Sequence, residues 1–186
     1  ATNVAYSLWD VKGGKGKSTV LEAVSSIWGC PKHLLQTKND TVSSRFQKYA
    51  VHKNLPIFID EVTNIREADL SDLIYDIVNG REKSRSLGSG TALARSGSWS
   101  TTTLFTSNKS LYEMLKSSHI QSDATCMRVV EHQCDFKDYT GTPYQKYIAS
   151  VQNVMHTNYG LAGPAFLQYC FDHPEVMDEI THKAKA

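Results

Sequence analysis

Apolar residues recur along the chain in two alternating rhythms, one with the period of a strand and one with that of a helix. Val4 to Trp9 is rich in strand formers and runs directly into a glycine-bearing stretch, Lys12-Gly13-Gly14-Lys15-Gly16-Lys17-Ser18-Thr19. Beyond it Val20, Leu21, Val24, Ile27 and Trp28 repeat at helical spacing, and Gly29 followed by Pro31 supplies a stop. The pattern predicts strand, loop, helix. Leu34 to Gln36 reads as a short strand, and 41–50 as a helix carrying Val42, Phe46 and Tyr49 on one side. Pro56 opens a clearer strand, Ile57-Phe58-Ile59-Asp60, whose unbroken apolar run suits a parallel strand covered on both faces.

Leu70, Leu73, Ile74, Ile77 and Val78 form the next helical stripe, with Asp69 expected as its cap and Gly80 as its end. Residues 81–100 break the pattern with Gly, Ser and four basic side chains, Arg81, Lys83, Arg85 and Arg95, against one acid, Glu82. A strand at 101–106 follows and ends at Ser107-Asn108, and Ser110-x-x-Glu113 has the form of a capping box. Arg128 to His132 predicts a further strand; helices are expected at 144–155, 164–171 and from Pro174 onward. Strands alternating with helices predict an α/β fold, a parallel sheet flanked by helices with a helical C-terminal part. The expected organisation is a core over 1–138 with 139–186 packed on it as an extension.

Composition narrows the class. With 186 residues, 40% hydrophobic and 21% charged, the chain can bury a sizeable core without disulfides or a structural metal. No apolar run approaches the roughly 20 residues needed to span a bilayer, and the first residues lack the basic start and long apolar centre of a signal peptide. No membrane association and a cytoplasmic location are the expectation. Cys30, Cys126, Cys134 and Cys170 show no C-x-x-C pair, which favours reduced thiols; His132 with Cys126 and Cys134 is better explained by packing than by metal ligation. The start at Ala1, so close to a functional motif, suggests a fragment of a longer protein. Twenty basic against nineteen acidic residues give no overall excess for nucleic acid, yet the charges separate. Glu67, Asp69, Asp72 and Asp76 share one predicted helix, and the basic residues fill the Gly/Ser segment after it.

A strand that turns through glycines into a helix places backbone N–H groups and the positive end of the helix dipole at one point, where a polyphosphate fits. Gly16-Lys17-Ser18 is the core of the P-loop signature: Gly13, Gly14, Lys15, Gly16 and Thr19 would cradle the phosphates of ATP, Lys17 would reach the β- and γ-phosphates, and Ser18 would ligate Mg²⁺. Val11 occupies the position of the usual first glycine; Gly13 and Gly14 are expected to supply the backbone freedom instead. Ile57-Phe58-Ile59-Asp60-Glu61 has Walker B form, with Asp60 holding Mg²⁺ and Glu61 polarising the attacking water. Asn108, at the end of the 101–106 strand, can hydrogen-bond the γ-phosphate or position that water.

This ordered series resembles the superfamily III helicases, hexameric AAA+ replication helicases of viruses, phages and plasmids. Ser25-Ser26-Ile27-Trp28-Gly29, the run from Leu55 to Glu61, Val78-Asn79-Gly80-Arg81-Glu82-Lys83-Ser84-Arg85 and Asn158-Tyr159-Gly160-Leu161-Ala162-Gly163-Pro164 are similar to a phage and prophage family of helicase-like domains that often accompanies primases or primase-polymerases. The resemblance implies a P-loop NTPase fold, ATP and Mg²⁺, assembly as a homo-oligomer (a hexamer), and single-stranded DNA as partner. It implies that Asn108 is the sensor residue and that Arg128 is offered across a subunit boundary to a neighbour's γ-phosphate, with Arg81 and Arg85 as rivals. It also implies a hairpin over 81–99 that tracks DNA, with Lys83, Arg85 and Arg95 on phosphates and Trp99 stacked on a base. Two other readings stay open: a ParA/MinD-type partition ATPase, whose deviant P-loop Lys12 to Thr19 also matches, and a non-catalytic nucleotide-binding scaffold in a replication complex. A small-molecule kinase would need an acceptor pocket that no constellation of residues supplies.

Overall fold

A computed structural model of the chain describes residues 3–37, 40–82, 97–117, 126–134 and 142–185. Among them five strands form one sheet: β1 (Val4–Trp9), β2 (Leu35–Gln36), β3 (Ile57–Ile59), β4 (Thr102–Ser107) and β5 (Val129–Gln133). Their order is β2-β3-β4-β1-β5, and every pairing is parallel. The helices are α1 (Lys17–Ser26), α2 (Pro31–Leu34), α3 (Val42–His52), α4 (Glu67–Asn79), α5 (Leu111–Ser117), α6 (Thr142–Thr157), α7 (Ala162–Asp172) and α8 (Pro174–Lys185), with a 3₁₀ turn at Val62–Asn64.

Register sorts the strand side chains. Ile57 and Ile59 of β3, Phe105 of β4 and Ala5 of β1 share one face and pack with Phe46 and Tyr49 of α3, Leu70, Leu73, Ile74 and Ile77 of α4, and Leu111 and Leu115 of α5. Phe58, one residue out of phase, points to the other face, where α1 packs on β4 and α6 packs on α1. The C-terminal helices are tied to that layer by backbone bonds from Gly160 to Ser26 and from Gly163 to Ile27. Gly163 is required there, since a Cβ would sit 2.5 Å from the Trp28 ring.

Each expected strand and long helix is present, with ends moved by one to three residues. Two local expectations change. Asp69 is not the cap of α4; it lies inside the first turn, and its carboxylate takes two hydrogen bonds from Arg66 at 2.7 and 3.1 Å. Asp76 of the same helix is buried, so the acidic row is not uniformly solvated. At α5, Ser110 Oγ accepts from the Glu113 amide as expected, but the acid that reaches back is Glu131 of β5, which accepts from Ser110 Oγ and from the Leu111 amide. All four cysteines are free thiols, and among the described residues no three or more His, Cys, Asp or Glu side chains gather as a metal cluster. No helix among them is long and apolar enough to cross a membrane.

One pH effect follows from α3. Partial burial, together with Lys48 one turn earlier, holds the His52 imidazole below its ordinary value of 6.5. The unfolded chain therefore takes up this proton first, and stability is lost as pH falls through 6.5, levelling off below the folded-state value. His52→Gln should flatten that part of the profile, read as urea midpoints at pH 7.5 and 5; an unchanged pH dependence would show that His52 does not contribute.

Candidate active site

In a parallel sheet, ligands bind beyond the carboxyl ends of the strands where successive crossovers depart in opposite directions. Here β1 sends its crossover past β4 and β3 to the far edge at β2, whereas β4 sends its own past β1 to β5. The crevice between the ends of β1 and β4 is therefore the expected site. The glycine loop leaves β1 at that point, and Ser107-Asn108 ends β4 beside it.

Gly14 and Gly16 take left-handed backbone angles, φ 75° and 79°, and Gly16 caps the start of α1. Val11, 74% exposed, does not, so a side chain is tolerated where the usual signature has glycine, and Gly13 needs no positive φ either. Lys17 is buried to 7% exposure and its ammonium is held by the loop itself, donating to the carbonyls of Asp10 at 3.1 Å and Lys12 at 3.2 Å. A cavity of about 330 Å³ follows the loop, lined by residues 13–19 together with Glu61, Thr106, Asn108 and Ile148. Its size and glycine-rich floor match the phosphate end of a nucleotide.

The carboxylates converge on the same point. Ser18 Oγ donates to Asp60 Oδ1 at 3.0 Å, joining α1 to the end of β3. Thr106 of β4 donates its hydroxyl to the same Asp60 oxygen and accepts the Glu61 amide at 2.9 Å, so one threonine fixes both acids. Glu61 itself has φ 56°, a left-handed conformation rare for a side chain larger than Asn and costing on the order of 1 kcal/mol. That turn aims its carboxylate at Asn108, whose Nδ2 donates to Glu61 Oε2 at 2.9 Å. Asn108 is held from behind, its amide donating to Thr63 Oγ1 at 2.7 Å. Glu61 Oε1 is buried and has no partner among the described residues, an acceptor suited to a water molecule.

These contacts fit Mg²⁺-nucleotide: two hard oxygen ligands, Ser18 Oγ and Asp60 Oδ1, already lie within hydrogen-bond distance of each other beside a phosphate-sized cradle. Thr106, Thr63 and Ile148 were not anticipated. Each lies far along the chain from the loop it serves, and only a threonine's place in a Thr-Ser-Asn strand end hinted at one of them.

Other expected site residues lie elsewhere. Arg128 precedes β5, at the amino end of the strands and so away from the glycine loop at their carboxyl end; it is exposed, with Nη1 3.5 Å from Asn79 Oδ1, does not pair with Glu131 and does not line the cavity of its own chain. Lys83, Arg85 and Arg95 fall outside the described residues. The ends of their segment are clamped together by an antiparallel bridge between Arg81 and Ser98 and by bonds from the Glu82 amide to Gly97 and the Trp99 amide to Gly80. Trp99 corrects the expectation that it stacks on a base: it is 6% exposed, stacked on Phe46 at 5.7 Å and close to Tyr49 at 4.9 Å, with its indole N–H donating to the Ile77 carbonyl. An indole so enclosed has no free face.

Comparison with known proteins names no chemistry for this site. A search of curated proteins gives no match. The chain is similar over residues 11–98, just under half its length, to a domain of unknown function, DUF927, a span that contains the glycine loop and the Asp60-Glu61 pair.

Proposed function

We propose that the chain is an AAA+-like P-loop ATPase domain of the superfamily III type, the motor of a DNA helicase or translocase in phage-type replication. The observation that carries this reading is the Ser18–Asp60 hydrogen bond at the mouth of the glycine loop, which brings the two motifs into one centre. Lys17 would leave its two carbonyls for the β- and γ-phosphates of ATP, and the loop amides would take the remaining charge. Bound Mg²⁺ would neutralise developing charge on the transferred phosphoryl group. Glu61, oriented by Asn108, would take a proton from the attacking water.

Among the described residues the cavity is lined by two lysines, Lys15 and Lys17, and by no arginine. In this reading Arg128, exposed and hydrogen-bonded only weakly to Asn79, would serve the γ-phosphate of a neighbouring copy in a homo-oligomer, hexameric in the full assembly. The clamped segment at 83–96, with Lys83, Arg85 and Arg95, is the proposed contact with single-stranded DNA. A primase or primase-polymerase partner in the cytoplasm of the host cell completes the reading.

The test is ATP hydrolysis by the purified chain with and without single-stranded DNA. Turnover should depend on Mg²⁺, rise with DNA and fall by about 100-fold or more in Lys17→Ala, the scale of losing a group that binds developing charge. Turnover unaffected by Lys17→Ala would overturn the assignment, and nucleotide binding without any turnover would leave a scaffold role.

A further inference from the structure

One wall of the phosphate cavity has the wrong chemistry for phosphate. The floor is the glycine loop with the start of α1, and Glu61, Thr106 and Asn108 lie at the carboxyl ends of β3 and β4; Ile148 comes instead from α6. An isoleucine offers a phosphate neither charge nor a hydrogen-bond donor. It suits the less polar part of a ligand that continues beyond its phosphates.

The contacts of α6 give its direction. Ile148 lies level with the start of α1, and Gln152 Nε2, one turn on, donates to Glu22 Oε2 at 3.0 Å. Past the end of α6 the Gly160 amide donates to the Ser26 carbonyl at 2.8 Å. The two helices therefore run side by side in the same direction. Because α6 begins at Thr142, the stretch from there to Ile148 carries it about 9 Å past the start of α1, at 1.5 Å per residue, and so beyond the carboxyl ends of the strands.

That overhang is aromatic. Tyr144 precedes Ile148 by one turn and lies about 40° from it around the helix, so both share the cavity side, whereas Tyr147 is about 100° away and faces outward. Tyr144 is 48% exposed and Tyr147 69%. Helical side chains lean toward the amino end, which brings the Ile148 side chain toward the turn that carries Tyr144. The two make one apolar strip leading out of the cavity.

We propose that this strip is the base site of the nucleotide: with the phosphates in the glycine loop, the sugar passes Ile148 and the base stacks on the ring of Tyr144. The ligand is thus a nucleoside triphosphate held at both ends, by backbone amides and Lys17 at one and by an aromatic face at the other. This rests on the ATPase reading given above and adds to it a binding residue outside every motif of the sequence.

The experiment is calorimetric titration of the full chain with Mg²⁺-ATP and with Mg²⁺-tripolyphosphate, which carries the phosphate chain and no nucleoside. Tyr144→Ala should weaken ATP by about tenfold or more, the scale of losing a stacked base, and leave tripolyphosphate within about twofold, which also shows that the variant is folded. Tyr144→Phe keeps the ring and should hold ATP within about threefold of the unmodified chain. Tyr147→Ala should leave both ligands within about twofold. Unchanged ATP affinity in Tyr144→Ala, an equal loss of tripolyphosphate, or a loss in Tyr147→Ala as large as in Tyr144→Ala would overturn the base site. Failure of the ATPase reading has another signature. If neither ligand binds the unmodified chain, or if tripolyphosphate binding survives Lys17→Ala, both proposals fall; the expected pattern of binding without turnover would keep the base site and remove only the hydrolysis.

Discussion

Glu61→Gln should lower ATP turnover by about 100- to 1000-fold while leaving ATP binding within a few-fold of the unmodified chain. The separation follows from what each neighbour holds. Lys17, the loop amides and Ser18 line the phosphate cavity and are untouched by the change. Gln keeps the shape of Glu and can still accept the Asn108 amide, so the strand end stays in place. What is lost is the capacity to take a proton from water. Turnover should be measured with saturating ATP and binding by titration with a fluorescent analogue. Full turnover in this variant would remove Glu61 from the chemistry and, with it, the reason for its left-handed backbone.

Trp99→Ala should cost about 3–5 kcal/mol of stability, read as a fall in Tm on the order of 10 °C. The indole packs against Phe46 and Tyr49 and donates to the carbonyl of Ile77, so truncation leaves a cavity and removes one of the two hydrogen bonds to that carbonyl, which keeps the Gly80 amide. The same residue roots the clamp, since its amide bonds to Gly80 and Gly80 leaves no room for a side chain beside it. DNA affinity should therefore fall in step with folded fraction rather than ahead of it. A variant with unchanged Tm and weakened DNA binding would return Trp99 to a role on the bases.

β3 was legible because Ile57-Phe58-Ile59 is a short unbroken apolar run between Pro56 and the Asp60-Glu61 pair, the form of a parallel strand covered on both faces, and β1, β4 and β5 through their β-branched and aromatic residues. The glycine loop was legible for a related reason: a backbone need, positive φ at Gly14 and Gly16, is written as a residue type. Trp99 was misjudged because its Gly/Ser surroundings suggested exposure, while the rings that enclose it belong to α3, some fifty residues earlier. Glu131 displaced the local capping acid in the same way, through a contact between β5 and α5 that no short pattern encodes.

The central position of β4 has a mechanical meaning. Bonded along both edges, to β1 and to β3, it runs from the clamp that follows Gly80 at one end to Asn108 at the other, about 20 Å of strand. A chain segment restrained on both sides neither stretches nor buckles, so it behaves as a rod. The same bonds resist sliding along the sheet, so the Asn108 end and the clamp end are held at one fixed separation. The Asn108–Glu61 contact is therefore set by the sheet itself rather than by the loops around it.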